Sequence, residues 1–97
     1  MENYAINKGY KVLRAMGNLR RLQILYALWK QERNVGELEE IVGLSQSALS
    51  QHLAVLRQAN LVKTRRQAQT IYYSVSSAVV LNILRLLDKF YNQNYKD

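Results

Sequence analysis

Cysteine is absent from this 97-residue chain, and histidine occurs once. Without cysteine there can be no disulfide, no thiolate metal ligand and no thiol redox chemistry. A single histidine cannot build the usual nitrogen and sulfur metal sites within one chain. We therefore predict a protein that uses neither a metal nor another cofactor.

Proline is absent as well, glycine occurs four times, and no low-complexity stretch interrupts the sequence. Because nothing resembles a linker, residues 1–97 are predicted to form one domain with a single modest core. The sequence has no apolar run of about eighteen residues and no charged-then-apolar leader. We therefore expect a cytoplasmic protein that does not engage membranes.

Acidic residues are scarce in this sequence. Seven acidic residues stand against fourteen Lys and Arg residues, which gives a net charge of +7. Such an excess favours polyanionic partners, either nucleic acid or an anionic membrane surface. Many basic proteins bind neither of these partners. The positions of the basic residues are therefore needed to distinguish the possibilities.

Two helices are predicted in the first third of the chain. Apolar residues recur at helical spacing over residues 4–16, which indicates a first helix. Asn18 is a suitable N-cap for a second helix, Leu19–Lys30, with a broad apolar face.

A helix-turn-helix is predicted at residues 35–60. Asn34 and Glu37 have the spacing of a capping box, which starts a short third helix. Gly43 can adopt the left-handed conformation that ends it. Ser45 is a suitable N-cap for the fourth helix, and two short helices joined by a glycine turn are typical of this motif.

After the fourth helix the pattern becomes that of strands. Residues 61–66 and 70–75 are rich in β-branched and aromatic residues and alternate in polarity, so they predict a hairpin, or wing, at 61–75. Ser76 caps a last helix at 77–92. The predicted fold is mainly α, a homodimeric winged helix-turn-helix of order α-α-α-α-β-β-α.

The fourth helix places its leucines on one side and an unusual polar surface on the other. That surface has no acid, whereas exposed helices normally mix Glu and Lys at i,i+4 spacing. Small hydrogen-bonding groups suit close approach to base edges in a major groove, and a merely polar surface helix is the weaker interpretation. The predicted DNA-contacting residues of this recognition helix are Gln46, Ser47, Ser50, Gln51, His52 and Arg57. For His52, which borders the leucine stripe, packing at the core edge competes with a phosphate contact.

The hairpin and the second helix add basic residues. The wing residues predicted to contact phosphates or a narrow minor groove are Lys63, Arg65, Arg66, Gln67 and Gln69. The alternative is a charged sheet edge that discourages aggregation. Arg20 and Arg21 are predicted to clamp the DNA backbone, although Arg21 could equally be a structural partner.

The last helix carries more apolar residues than one buried stripe requires. A terminal helix of a small domain cannot be surrounded by its own chain, so the excess predicts an interface, although a fully buried helix is the alternative. A twofold dimer of helix-turn-helices would read an inverted repeat in successive major grooves. The predicted interface residues are Tyr10, Leu13, Val80, Ile83, Leu84, Leu87 and Tyr91.

Catalysis has little support in the sequence. Glu37, Glu39 and Glu40 are typical of a solvated helix near its N-terminus, and no nucleophile, phosphate-binding loop or dinucleotide motif is present. The protein is therefore predicted not to be an enzyme. The alternative to DNA binding is a winged-helix interaction module whose basic surface meets an acidic partner.

Three segments in order, MGNLRRLQILYAL, NVGELEEIVGLSQSALSQHLAVLRQANLV and RRQAQTIYYSV, resemble an ArsR/SmtB-type winged-helix repressor. They cover residues 16–75, and the wording is most similar to the branch of HlyU and BigR. The resemblance implies a DNA-binding homodimer built on the first and last helices, with the fourth helix for recognition and a β-wing.

The departures from that family concern its sensors. Metal-sensing members carry a cysteine-rich motif where this chain has GELEEIV, and others use Asp and His on the last helix, where this chain has Asp88 and no histidine. The HlyU and BigR branch senses oxidants or persulfide through two cysteines, and the matching positions here are Tyr26 and Asn92. The resemblance thus implies double-stranded DNA as a partner, with the effector unknown.

Overall fold

Eight elements form the fold, and the computed structural model describes residues 1–92. Residues 93–97 of the predicted domain lie outside the described residues. In chain order the elements are α1 Asn3–Met16, α2 Leu19–Leu28, β1 Arg33–Asn34, α3 Val35–Val42, α4 Gln46–Gln58, β2 Val62–Gln67, β3 Thr70–Val75 and α5 Ala78–Tyr91.

The helices begin where local side chains can satisfy the free backbone N–H groups. The Asn18 and Ser45 side chains each accept a bond from the third residue of their helix, at 3.1 and 3.2 Å. At α3, the Asn34 side chain accepts from the Glu37 N–H, and the Glu37 carboxylate accepts from the Asn34 N–H, both at 2.9 Å. These are the predicted caps, including the capping box. Only the last helix differs, because Ser77 rather than Ser76 is its cap.

Helix α2 ends at Leu28, two residues before the predicted end. The Trp29 N–H bonds to the Tyr26 carbonyl, which tightens the last turn. The Arg33 Nε donates to the Ala27 carbonyl at 2.9 Å. A distant side chain thus satisfies a carbonyl at the helix end, which spacing within the helix could not indicate.

Helix α4 ends in a Schellman motif that leads directly into the wing. Asn60 takes the left-handed conformation with φ 61°. Its N–H bonds to the Arg57 carbonyl, and the Leu61 N–H bonds to the Leu56 carbonyl. Asparagine tolerates this conformation better than most residues. The chain therefore reverses within a few residues and enters β2.

The three strands form one antiparallel sheet in the order β1-β3-β2. The hairpin of β2 and β3 confirms the predicted wing. The prediction missed β1, because two residues without alternating polarity give no strand signal; Arg33 and Asn34 pair with Tyr73 and Tyr72. A two-residue loop joins β2 to β3, with Ala68 at φ 55°.

The core lies where α2, α3, α4 and α5 meet the base of the hairpin. Each buried Leu or Ile side chain contributes about 1.5–3 kcal/mol of burial free energy. The packing of these side chains in the core therefore fixes the orientation of α4. The fully buried side chains are Ile24, Leu25, Leu28, Leu38, Leu49, Leu56, Leu61, Val80 and Leu84.

Two of these residues correct the sequence prediction. Val80 and Leu84 were assigned to the dimer interface, yet they are 0% and 1% exposed within this chain's own core. The sequence shows that α5 is apolar on several sides, but only packing shows which side faces inward. Within residues 1–92, no helix combines the length and apolar character that crossing a bilayer requires.

Candidate DNA-binding surface

Helix α4 presents its predicted polar surface to solvent. Leu49, Leu53 and Leu56 are at most 3% exposed, so they anchor the inner side of the helix in the core. The outer side consists of residues classed as exposed: Gln46, Ser47, Ser50, Gln51, Ala54, Arg57 and Gln58. Since α4 contains no acidic residue, this surface can approach a polyanion without charge repulsion.

His52 is half-buried at the edge of that surface. Its Nδ1 lies 3.5 Å from the Arg21 Nη1, which is long for a hydrogen bond. The Arg21 Nε donates to the Ala15 carbonyl at 2.6 Å. Arg21 therefore joins the end of α1 to α4, which is the structural role left open by the sequence, and His52 packs at the core edge.

Arg20 is exposed, whereas Arg21 is half-buried. Its Nη1 donates to the Val42 carbonyl at 3.1 Å and lies 3.2 Å from the Gln23 Oε1. Val42 is the last residue of α3, where carbonyls lack helical partners and favour a positive charge. Arg20 thus ties α2 to the turn before α4, and its guanidinium still borders solvent.

The hairpin divides the predicted basic wing between two faces. Directly paired residues of an antiparallel sheet share a face, and Arg65 pairs with Tyr72 while Arg66 pairs with Ile71. Lys63, Arg65 and Gln67 therefore lie on one face of β2, and Arg66 lies on the other. Gln69 belongs to the loop. The five residues do not form the single cluster that the sequence suggested.

Arg65 is held by an ion pair that sequence reasoning missed. Its Nη2 donates to the Glu32 Oε1 at 2.6 Å, and its Nε donates to the Glu32 Oε2 at 3.2 Å. The hydrogen bond from Arg65 is the main reason that the pKa of Glu32 lies below the usual glutamate value, and the same bond raises the pKa of Arg65. In contrast, the Arg66 side chain is exposed and forms no hydrogen bond or ion pair with another side chain of residues 1–92.

A groove of about 580 Å³ runs between α2 and α5. Tyr26 and Asn92, the positions matched to sensing cysteines, both line it. The Tyr26 hydroxyl donates to the Asp88 Oδ1 at 3.0 Å. This hydrogen bond, together with the charge of Asp88, raises the pKa of Tyr26. Among residues 1–92, no group of three or more His, Cys, Asp and Glu side chains is placed to hold a metal ion.

Exposed apolar residues cover α1 and the outer side of α5. On α1 they recur at i, i+4 and i+7, as Ile6, Tyr10 and Leu13, each at least 50% exposed. On α5 the exposed apolar residues are Val79, Leu86, Phe90 and Tyr91. Predicted interface residues Ile83 and Leu87 are half-buried beside them. The exposed residues Ile6, Val79, Leu86 and Phe90 were not among the predicted interface residues.

The short α3, its glycine turn, the solvent-facing α4 and the adjoining hairpin make this a winged helix-turn-helix protein. A profile described as bacterial regulatory protein, arsR family, matches residues 18–64. The chain belongs to the ArsR family of DNA-binding transcriptional regulators. This membership confirms the predicted family and bears out the expectation that the protein is not an enzyme.

Individual relatives support the same assignment. The chain is 60% identical to the nodulation protein NolR of Rhizobium meliloti over 84% of this chain and 67% of that protein. It is 52% identical to the transcriptional activator HlyU of Vibrio cholerae, over 89% and 80% of the two chains. The solved structure of reduced HlyU from Vibrio cholerae has a TM-score of 0.89 and 50% identity, and the match covers 93% of this chain and 95% of that one.

Proposed function

We propose that this regulator acts in the cytoplasm as a homodimer that reads an inverted-repeat operator. Each protomer inserts α4 into a major groove, and the twofold axis places the two recognition helices on one side of the duplex. A dimer bound at a promoter regulates transcription by blocking polymerase or by displacing another bound protein.

The observation that carries this proposal is the outer surface of α4. The surface is exposed, acid-free and rich in short hydrogen-bonding groups, while three buried leucines fix its orientation. Ser47, Ser50 and Gln51 lie in the first half of α4, which is the end that contacts base edges in this motif. Gln46 and Arg57 mark the two ends of the surface, where backbone phosphates would lie.

The wing supplies contacts that do not depend on sequence. Arg66 is exposed near the tip, Gln69 lies in the loop, and Lys63 is exposed on the opposite face of β2 from Arg66. Exposed basic residues of this kind neutralise phosphates and make DNA binding dependent on salt. Arg20, exposed beside the turn before α4, is the remaining candidate for a backbone clamp.

The apolar surfaces of α1 and α5 support the dimer. Most of α1 is exposed, and only Ala15 and Met16 at its end are buried. A helix of this length is marginal by itself and needs packing partners. A second copy that covers Ile6, Tyr10 and Leu13 supplies that packing, and symmetry lets α5 of each protomer join the same interface.

A double substitution tests the groove assignment. A duplex selected by the wild-type protein from a random pool is titrated with Ser47→Ala/Gln51→Ala and with the control Gln31→Ala, which alters an exposed residue outside α4. We expect the double variant to lose about tenfold to a hundredfold in affinity, because a good base contact is worth about 1–3 kcal/mol.

Two results would count against the proposal. If the double variant and the wild type bind the selected duplex with equal affinity, α4 does not lie in the major groove. A wild-type protein without salt-dependent binding to any duplex would instead favour the interaction module with an acidic protein partner.

A further inference from the structure

The wing carries its own counter-charge. Glu32 belongs to the segment between α2 and β1, and it precedes Arg65 by 33 residues. The Glu32 carboxylate engages the Nε and Nη2 edge of the Arg65 guanidinium through two hydrogen bonds, of 3.2 and 2.6 Å. This two-bond geometry is the one by which arginine also holds a phosphate group.

The rest of the guanidinium is occupied as well. The Arg65 Nη1 donates to the Gln67 Oε1 at 2.9 Å. The guanidinium carbon lies 4.7 Å from the centre of the Tyr72 ring, within the range of a cation–π contact. Arg65 therefore lies along the sheet face and does not extend towards solvent as a free basic side chain.

Stability alone gives little reason for this arrangement. The Arg65 and Glu32 side chains are 49% and 39% exposed, and ion pairs exposed to this degree contribute little to folding because water screens them. The effect on DNA is larger in principle, since each arginine that neutralises a phosphate adds to affinity for duplexes of every sequence.

We propose that Glu32 acts as an internal phosphate mimic that withholds Arg65 from the DNA backbone. Glu32 thereby reduces by one the phosphate contacts that each wing can make. It lowers affinity for operator and non-operator DNA alike and makes binding less sensitive to salt. The inference rests on the proposed DNA-binding function, and Glu32 is a positioning residue that acts through Arg65.

The test measures salt dependence on a fluorescein-labelled duplex of arbitrary sequence, between about 50 and 200 mM salt. The variants are Glu32→Gln, Arg65→Gln and Glu32→Gln/Arg65→Gln. The control Glu40→Gln removes the same charge from an exposed position of α3. Thermal melting of each variant confirms that it is folded.

Removal of the Glu32 charge is expected to leave Arg65 of each wing free to contact one more phosphate. The slope of log affinity against log salt should steepen by about 0.9 for each wing engaged in Glu32→Gln. Over a fourfold fall in salt, this is a gain of about threefold to fourfold per wing relative to wild type. The gain should be absent from the double variant, which keeps the net charge of the wild type, and clearly smaller in Glu40→Gln. Arg65→Gln should change the slope no more than Glu40→Gln does, in the opposite direction.

The outcomes separate the two proposals. If the wild type binds duplex DNA and Glu32→Gln has an unchanged slope, the phosphate-mimic role is wrong and the DNA-binding function stands. Weaker binding by Glu32→Gln, or a slope for the double variant that is shallower than that of the wild type, would show that the pair presents Arg65 to DNA and would also overturn the inference. If the wild type binds no duplex at any salt concentration, the proposed DNA-binding function is itself wrong.

Discussion

The Tyr26 hydroxyl donates to the Asp88 carboxylate at 3.0 Å and joins α2 to α5 across 62 residues of sequence. The hydrogen bond stabilises the neutral phenol, and the negative charge of Asp88 further opposes ionisation, so the pKa of Tyr26 is raised. Asp88→Asn removes that charge. We expect this variant to lower the pKa of Tyr26 towards the ordinary tyrosine value, as measured by ultraviolet titration of phenolate absorbance.

The pH range follows from the direction of the shift. Because the folded-state pKa is raised, the contribution of the contact to folding is full below the ordinary tyrosine pKa of about 10 and is lost as pH rises through the folded-state value. Tyr26→Phe, compared with wild type, identifies which of the seven tyrosines gives the late titration. A Tyr26 signal that is identical in wild type and Asp88→Asn would contradict the assignment.

The wing loop contains a residue in an unfavourable backbone conformation. Ala68 has φ 55°, a left-handed value that costs a residue with a side chain about 1–2 kcal/mol. Glycine avoids this cost but has greater freedom in the unfolded chain. We expect Ala68→Gly to raise the free energy of unfolding by up to about 1 kcal/mol in urea denaturation.

Ala54→Gly is the matched control for the loop substitution. It changes the same residue types at an exposed position inside α4, where glycine is expected to destabilise by about 0.5–1 kcal/mol. A loss of stability in both variants would show that Ala68 is not strained.

The proposed dimer can be tested at a single leucine of α1. Leu13 is 59% exposed, and burial of a leucine contributes about 1.5–3 kcal/mol. A twofold interface contains the residue twice, so Leu13→Asp is expected to raise the dimer dissociation constant by a factor of at least about one hundred. Sedimentation equilibrium measures this change directly.

Asn7→Asp introduces the same charge at an exposed polar position of α1 and should leave the dimer intact. If Leu13→Asp remains as dimeric as Asn7→Asp, the apolar stripe of α1 does not form the interface. Circular dichroism of both variants shows whether the charge has unfolded the protomer.

Arg66 and Arg65 are neighbours in sequence with different expected effects on DNA binding. Arg66 is exposed on one face of β2, whereas Arg65 is held by Glu32 on the other. Arg66→Ala should weaken binding to all duplexes and reduce the salt slope by about one for each wing engaged. Arg65→Ala should reduce the slope less than Arg66→Ala does. If fluorescence anisotropy titrations show the larger reduction in Arg65→Ala, the other face of the wing contacts DNA.

Much of the fold could be predicted from the sequence because its signals are local. The caps at Asn18 and Ser45, the Asn34 and Glu37 capping box and the turn at Gly43 each depend on residues within one helical turn. The polar surface of α4 follows from periodicity in the same way. The short β1 could not be predicted, since its two residues become a strand only by pairing with β3.

What the sequence by itself determined is the order of the five helices and the hairpin, the polar surface of α4 and the family of this protein. The tertiary structure decided which apolar side of α5 enters the core, and so moved Val80 and Leu84 out of the proposed interface. It also decided which basic residues are available, because Arg21 lies against His52 of α4 and Arg65 pairs with Glu32. The physical reason is distance along the chain: periodicity and caps act between near neighbours, whereas partners more than thirty residues apart meet only when the core forms.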